Sequence, residues 1–197
     1  MKKEKQNNKT RTVLEIAKSP EKEYNSNNIS KVLGITAMGA LKILKKLEKE
    51  GVLVSRKIGN ISVYRVKRDS NYALKYLEFA LIYEVEHSNP YVKRWISEIK
   101  KIKSEVIAIV FGSVLIKREM AGDIDILFVV KENKFNELIK KIKKINELSE
   151  KKIHPVYQSI GDLENNIEKR DKVILNAIKG VVASGYDKIS KLLVELR

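Results

Sequence analysis

The sequence predicts a mixed α/β (α+β) protein, in which a mainly helical N-terminal part precedes a C-terminal part of alternating strands and helices. Three observations support this prediction. Short helical patterns in residues 11–68 lead into two alternating runs around Gly59-Asn60, which is typical of a β-hairpin. Longer helical patterns occupy residues 69–103, and strand-length apolar runs alternate with helical patterns in residues 104–197. A chain of 197 residues is enough for one large domain or two small ones.

The charge of the chain is strongly basic and unevenly distributed. The net charge is +15 and the isoelectric point is about 9.7. Residues 1–68 contain 17 Lys and Arg against 6 Asp and Glu, a net +11, whereas residues 69–197 contain 23 against 19, a net +4. This excess predicts a surface for a polyanion, most often nucleic acid, in the first third of the chain. A lysine-rich surface kept for solubility or heat resistance is the alternative.

Two further features of the composition limit the class of protein. The chain has no cysteine, which excludes disulfides and zinc–thiolate sites. It has no secretory segment near Met1 and no apolar run long enough to cross a membrane, so a cytoplasmic protein without membrane contact is expected. The bias towards Lys, Glu and Ile favours a thermophilic source.

The N-terminal region is expected to consist of a disordered tail over residues 1–10 and a domain over residues 11–68. Gly34 and Gly51 permit the turns that end two of its helices, and Thr36 is placed to cap the third. The predicted elements are helices over residues 12–18, 29–33 and 37–50 and strands over residues 52–55 and 61–66.

This order of helix, helix-turn-helix and hairpin resembles the winged helix-turn-helix family of transcriptional regulators. The resemblance rests on residues 29–36, which supply the turn, and on residues 44–53, where the third helix ends. In that family the third helix enters the major groove of double-stranded DNA, and members often form homodimers that bind two half-sites. The resemblance therefore implies both properties for this chain. The implied DNA-binding residues are Thr36, Met38, Lys42, Lys46, Arg56 and Lys57.

The outward side chains of the third helix leave two interpretations open. Lys42 and Lys46 can reach phosphates or guanine edges, and simple solvation of an exposed helix face is the alternative. This helix has no Arg, Asn or Gln, although these side chains make the paired hydrogen bonds that distinguish bases. Sequence discrimination is therefore expected to be modest, or to come from the hairpin and from DNA shape.

Residues 69–103 are predicted to form two connecting helices. The first, Asn71–His87, is apolar around much of its circumference, so we expect burial on more than one side, at a dimer interface or between domains. Pro90 follows a break, and the second helix is predicted over Tyr91–Lys103, with Trp95 as a core anchor.

Residues 104–197 are predicted to form a second domain. The sequence alternates between buried strands and amphipathic helices, which is typical of an α/β plan. The predicted strands are residues 106–111, 124–130 and 153–157, and the predicted helices are residues 113–118, 135–148, 163–169, 172–178 and 184–196.

A Gly-Ser pair and two aspartates flank the first two of these strands. Gly112-Ser113 follows the first strand, and Asp123 and Asp125 stand at the start of the second. Glycine lets the backbone approach a phosphate closely, and a helix that begins there directs its N–H groups at the anion. Aspartates two residues apart on a strand share one face, where both can bind one Mg²⁺. The pattern therefore predicts a metal and phosphate site.

This pattern is similar to the signature of the nucleotidyltransferase superfamily of the DNA polymerase beta type, and Lys179–Tyr186 is similar to the C-terminal region of its minimal members. The resemblance covers residues 104–190. It implies that Gly112 and Ser113, with Lys117, bind the phosphates of a nucleoside triphosphate. It also implies that Asp123 and Asp125 are catalytic and bind Mg²⁺ or Mn²⁺ at the α-phosphate as pyrophosphate leaves.

The chain departs from the family pattern in the segment after the serine. Many minimal members have the sequence Gly-Ser-x-Ala-Arg-Gly, whereas Ile116 stands at the arginine position here. Lys117 or Arg118 can replace the charge of that arginine.

A second departure concerns the third strand. Most active members add a third carboxylate there, but residues 153–159 contain no acid. His154 and Gln158 occupy the alternating positions of this strand where such an acid would stand. Asp162 and Glu164 lie just beyond the strand, and either can turn towards the site to supply the third carboxylate.

Three functions are consistent with these resemblances. The first is a DNA-binding protein whose second domain binds a nucleoside triphosphate with Mg²⁺ and transfers a nucleotidyl group to a hydroxyl of a small molecule or of a protein such as a toxin. The second is a transcriptional regulator whose second domain has lost catalysis and only senses a nucleotide or mediates dimerisation. The third is an enzyme that modifies RNA or DNA ends and docks through the winged helix.

Overall fold

The computed structural model describes residues 7–102 and 106–195. Within these residues the chain forms ten α-helices and six strands in two sheets, so the prediction of a mixed α/β protein is confirmed. The chain divides into two compact units. The first contains the described residues up to Tyr83 together with those from Ser190 onward, and the second contains residues 84–189. No helix of the described residues is both long enough and apolar enough to cross a membrane.

The first unit begins with three short helices. Asn7 caps α1 by accepting a hydrogen bond from the Lys9 N–H, and Thr36 caps α3 by accepting one from the Gly39 N–H at 3.1 Å. The helices are α1 (Asn8–Lys18), α2 (Ser26–Leu33) and α3 (Ala37–Lys49). The start of α1 at Asn8 shows that the predicted disordered tail is wrong for residues 8–10. Residues 1–6 of that tail lie outside the described residues.

A two-stranded antiparallel sheet follows these helices. Strand β1 (Leu53–Ile58) pairs with β2 (Ile61–Val66), and Ile58 lies opposite Ile61. The two-residue connection is Gly59-Asn60, and Gly59 has a φ of +57°, which favours glycine in a tight hairpin turn. The predicted hairpin is therefore confirmed.

Helix α4 (Asn71–Glu86) is less buried than its composition predicts. One face, which includes Leu77 and Leu81, is fully buried. The opposite face carries Tyr72 and Phe79, which are 57% and 52% exposed. Within the described residues α4 is therefore buried on one side, and burial of its second side at a dimer interface stays a prediction. The apolar residues of α4 divide between a core face and an exposed aromatic face.

The second unit contains a four-stranded sheet and the helices that cover it. Its buried core includes Trp95, Val110 and Phe128, and the prediction of Trp95 as a core anchor is confirmed. Lys103, the predicted end of the second connecting helix, lies outside the described residues. The elements that follow α4 in the chain are α5 (Pro90–Lys100), β3 (Ile107–Phe111), α6 (Val114–Lys117), a 3₁₀ turn (Arg118–Met120), β4 (Ile124–Val129), α7 (Glu132–Leu148), β5 (Ile153–Gln158), α8 (Ile160–Glu168), α9 (Lys172–Ile178), β6 (Val181–Ser184) and α10 (Tyr186–Glu195). The part of α10 from Ser190 onward belongs to the first unit.

The strand order of this sheet is β5-β4-β3-β6. Strand β4 is antiparallel to β3 and parallel to β5, and β6 is antiparallel to β3. The end of β3 and the starts of β4 and β5 therefore meet at one edge of the sheet. The sequence did not predict β6, because its four residues stand between Gly180 and Gly185 and show no alternation. Strand β6 forms because it pairs with the buried strand β3, and not because of a local sequence pattern.

Candidate functional site

Three side chains that can bind a metal converge at this edge of the sheet. Asp123 immediately precedes β4, Asp125 is its second residue, and His154 lies opposite Asp125 in β5. His154 Nδ1 lies 3.1 Å from Asp125 Oδ1. One ligand atom from each of the three residues lies within 4.8 Å of the other two. Carboxylate oxygens and an imidazole nitrogen in this arrangement fit a divalent cation.

Gly112 is the fourth member of this arrangement because it packs directly against Asp125. The last residue of β3, Phe111, pairs with Asp125, and Gly112 follows with a φ of +78°. A Cβ atom at Gly112 would lie 2.2 Å from Asp125 Oδ2. Any other residue would displace this carboxylate and strain the backbone. We refer to Gly112, Asp123, Asp125 and His154 together as the sheet-edge site.

The loop from β3 to β4 carries the other residues predicted to bind phosphate. Ser113 makes no side-chain capping hydrogen bond to α6, and its carbonyl accepts a hydrogen bond from the Lys117 N–H at 2.7 Å. The predicted helix over 113–118 is divided into the four-residue α6 and a 3₁₀ turn. Arg118, with a φ of +56°, marks the change between them. The side chains of Lys117 and Arg118 are exposed.

The acids considered as a third carboxylate lie at the other end of β5. Gln158 pairs with Val129 at the far end of the strand. It is four residues from His154, which is about 13 Å along the strand. Asp162 follows Gln158 and belongs to the capping box of α8. Hydrogen bonds from the Ser159 hydroxyl and N–H lower the pKa of Asp162. The suggestion that Asp162 or Glu164 completes the metal site is therefore not supported, and His154 occupies that position.

Sequence reasoning placed His154 among several candidates without selecting it. The alternation of β5 puts His154 and Gln158 on one face, but it does not give the alignment of β5 with β4. The parallel register that pairs His154 with Asp125 is a property of the sheet. The sequence did contain one signal: His154 is the second residue of its strand, as Asp125 is the second residue of β4.

The outward face of α3 contains the other group of predicted site residues. Met38 is 62% exposed, and Lys42 and Lys46 are also exposed, whereas Leu44 and Leu47 are buried in the core. Thr36 uses its hydroxyl oxygen to cap the helix, and its hydroxyl proton remains able to donate. We refer to Thr36, Met38, Lys42 and Lys46 as the α3 face.

The two basic residues predicted at the hairpin differ in their surroundings. Arg56 forms a salt bridge with Glu23 at 2.6 Å between Nη2 and Oε1. Lys57 is exposed near the tip of the hairpin, beside Ile58 and Ile61, which are 49% and 52% exposed. Arg56 is thus partly neutralised within the protein, a feature that its position in the sequence does not reveal.

Comparison of the chain with models of known protein families finds no match, and comparison with curated proteins finds none either. The function is therefore inferred from the geometry of the sheet-edge site and of the α3 face.

Proposed function

We propose that this chain is a DNA-binding protein whose second unit binds a nucleoside triphosphate with a divalent ion and transfers a nucleotidyl group to a hydroxyl of a protein or small molecule. The observation that carries the proposal is the sheet-edge site. Its two carboxylates and one imidazole converge beside a glycine that no other residue can replace without moving Asp125. Groups separated by up to 42 residues in sequence meet there because of the sheet topology.

In this proposal, Asp123 and Asp125 hold the divalent ion, and His154 contributes the third ligand atom. The bound ion supplies charge neutralisation for the triphosphate as pyrophosphate leaves. Asp125 is fixed by strand pairing on both sides, to Phe111 and to His154. Its carboxylate is held by the contact with His154 Nδ1 at 3.1 Å and by packing on Gly112. This arrangement lowers the reorganisation needed when charge develops in the transition state.

The loop after β3 supplies the phosphate contacts in this proposal. The absence of a side chain on Gly112 lets its backbone pack directly against Asp125, so the loop after β3 lies at the carboxylates. The Ser113 hydroxyl, which caps no helix, is available to donate a hydrogen bond to a phosphate oxygen. Lys117 is exposed on α6 and adds positive charge to the same loop.

The first unit has the features expected of a winged helix-turn-helix domain. Gly34 has a φ of +67° and forms the sharp turn between α2 and α3, and the β1–β2 hairpin follows α3. The α3 face is exposed and basic, and residues 1–68 carry an excess of 11 positive charges. These observations support placing α3 in the major groove of double-stranded DNA, with the hairpin on the neighbouring backbone.

We further propose that the protein is a homodimer that binds two DNA half-sites. The outer face of α4 supports this, because exposed Tyr72 and Phe79 alternate with half-buried Tyr76 and Tyr83 in a continuous row with ring centroids 5.9 to 6.4 Å apart. An exposed aromatic row of this kind is typical of an interaction surface. Sedimentation equilibrium of the full chain tests the proposal, and a monomer at all concentrations contradicts it.

One observation favours a second candidate function. No carboxylate of the described residues joins Asp123 and Asp125 as a third acid, since His154 lies there and Asp162 is held at the far end of β5. In the alternative, the second unit binds a nucleotide without transferring it, and the protein is a nucleotide-sensing transcriptional regulator.

A transfer assay on the full-length chain tests the proposed function. The chain is incubated with α-labelled ATP, GTP, CTP or UTP, divalent ions and candidate acceptors. We expect label on a protein or small molecule, and we expect Asp123→Asn to abolish it. Glu119→Gln is the matched control because Glu119 is an exposed carboxylate in the same loop, so its loss should leave transfer unchanged.

The other outcomes separate the remaining hypotheses. Nucleotide uptake in calorimetry without transfer to any acceptor supports the sensing regulator. Label on RNA or DNA ends supports an end-modifying enzyme. If the wild-type chain takes up neither ion nor nucleotide, the proposal for the second unit is wrong.

A further inference from the structure

The third ligand of the sheet-edge site is a nitrogen atom. His154 Nδ1 faces Asp125 Oδ1 at 3.1 Å, and the His154 side chain is 69% exposed. An imidazole this exposed contributes little to packing, so its position opposite Asp125 has no explanation in the core. The contact brings a nitrogen of His154 and an oxygen of Asp125 close enough together to bind one divalent ion.

Among the described residues, His154 is the side chain that pairs with the two carboxylates, through Asp125. Although the chain has a net charge of +15, no Lys or Arg within residues 7–102 and 106–195 forms an ion pair with Asp123 or Asp125. Neighbouring like charges are unfavourable without a cation. A divalent ion bound by both carboxylates would offset this repulsion, in agreement with the donor distances.

The chemistry of the donors distinguishes between metal ions. Mg²⁺ prefers oxygen ligands and gives up water reluctantly, whereas imidazole suits transition ions of borderline softness. We propose that Asp123, Asp125 and His154 bind a first-row divalent transition ion, with Mn²⁺ as the probe, in preference to Mg²⁺. This inference rests on the proposed function, because the ion occupies the same nucleotide site.

Metal affinities of the full-length chain and of His154→Asp test this preference. Oxygen sites also bind Mn²⁺ somewhat more tightly than Mg²⁺, so the decisive quantity is the ratio of the two dissociation constants and how the substitution changes it. We expect the preference for Mn²⁺ to fall by about tenfold or more in His154→Asp, because an all-oxygen set favours Mg²⁺. We expect His154→Ala to weaken Mn²⁺ binding by a similar factor while Mg²⁺ binding changes less.

Spectroscopy of bound Mn²⁺ provides a second measurement that does not depend on the ratio of affinities. Electron spin echo modulation, recorded without nucleotide, detects the nitrogen of a ligated imidazole. The chain contains two histidines, His87 and His154. We expect nitrogen coupling in the wild-type chain and in His87→Gln, and its loss in His154→Asp.

The outcomes separate this inference from the proposed function on which it rests. Mn²⁺ binding without nitrogen coupling, or a metal preference that His154→Asp leaves unchanged, overturns the transition-ion preference and leaves the nucleotide site standing. If the wild-type chain binds neither Mn²⁺ nor Mg²⁺ in calorimetry, with or without nucleotide, the proposed function fails as well.

Discussion

The residues of the α3 face are close together in the sequence, whereas those of the sheet-edge site are far apart. The α3 face comes from eleven consecutive residues, 36–46, whose outward direction follows from one helix and its cap. The sheet-edge site combines the end of β3 with the starts of β4 and β5. A single substitution in the sheet-edge site therefore removes a metal ligand, or the space at Gly112 that Asp125 occupies. A single substitution in the α3 face removes one positive charge among many. The comparison predicts large effects at the sheet edge and graded effects on α3.

Gly112→Ala should give the largest effect in the second unit. The new methyl group would lie 2.2 Å from Asp125 Oδ2, and the φ of +78° disfavours alanine. We expect a loss of about 1–3 kcal/mol in the free energy of unfolding from backbone strain alone, with a further loss as Asp125 moves. We also expect Mn²⁺ affinity to fall by about tenfold or more. Urea denaturation and calorimetry measure the two effects.

Gly122→Ala is the matched control for this substitution. Gly122 lies in the same loop, next to Asp123, and a Cβ atom there would have no atom within 4 Å. We expect its free energy of unfolding and its metal affinity to stay close to the wild-type values. If both alanine variants behave alike, the close packing of Gly112 on Asp125 does not control the site.

Much of the sheet-edge site was predictable from the sequence because two of its strands, β3 and β4, have clear apolar patterns. The apolar runs that end at Phe111 and begin at Ile124 are long enough to identify β3 and β4, and Gly112, Asp123 and Asp125 flank them. The contribution of His154 depends on the parallel register between β4 and β5. Register is set by side-chain packing across the whole sheet, so the local pattern of β5 did not distinguish His154 from Gln158.

The first unit was easier to predict because its signals are local. Thr36, Gly34 and Gly59-Asn60 each act within a few residues, through a cap, a left-handed turn and a hairpin connection. The partner of Arg56 was not predictable in this way, because Glu23 lies 33 residues earlier in the chain. The apolar composition of α4 did not show which of its residues pack inside the chain and which are exposed to solvent, because that depends on the neighbouring elements.

The double substitution Lys42→Ala with Lys46→Ala tests the α3 face. If both lysines contact phosphates, each contact contributes close to one unit to the slope of log affinity against log salt. We therefore expect the slope to become shallower by about two and DNA binding to weaken on all sequences. Fluorescence anisotropy with a duplex at several salt concentrations measures both quantities.

A control with the same change of net charge makes this test specific. Lys140 and Lys143 are exposed on α7 in the second unit, so Lys140→Ala with Lys143→Ala removes two charges and leaves the residues of the α3 face unchanged. We expect its salt dependence to match the wild type. Equal losses in the two double variants would mean that net charge alone, rather than the α3 face, binds the duplex.

The smallest predicted effect concerns the two basic residues of the hairpin. Arg56 is paired with Glu23 at 2.6 Å, while Lys57 is exposed near the tip. Because Glu23 offsets part of the charge of Arg56, we expect Lys57→Ala to reduce the salt slope of DNA binding by about one and Arg56→Ala to reduce it by less. Glu23→Gln should release Arg56 and strengthen binding slightly.

Because exposed pairs of this kind contribute only about 0–1 kcal/mol, these variants should fold normally. A larger effect for Arg56→Ala than for Lys57→Ala would mean that Arg56 leaves Glu23 to bind DNA.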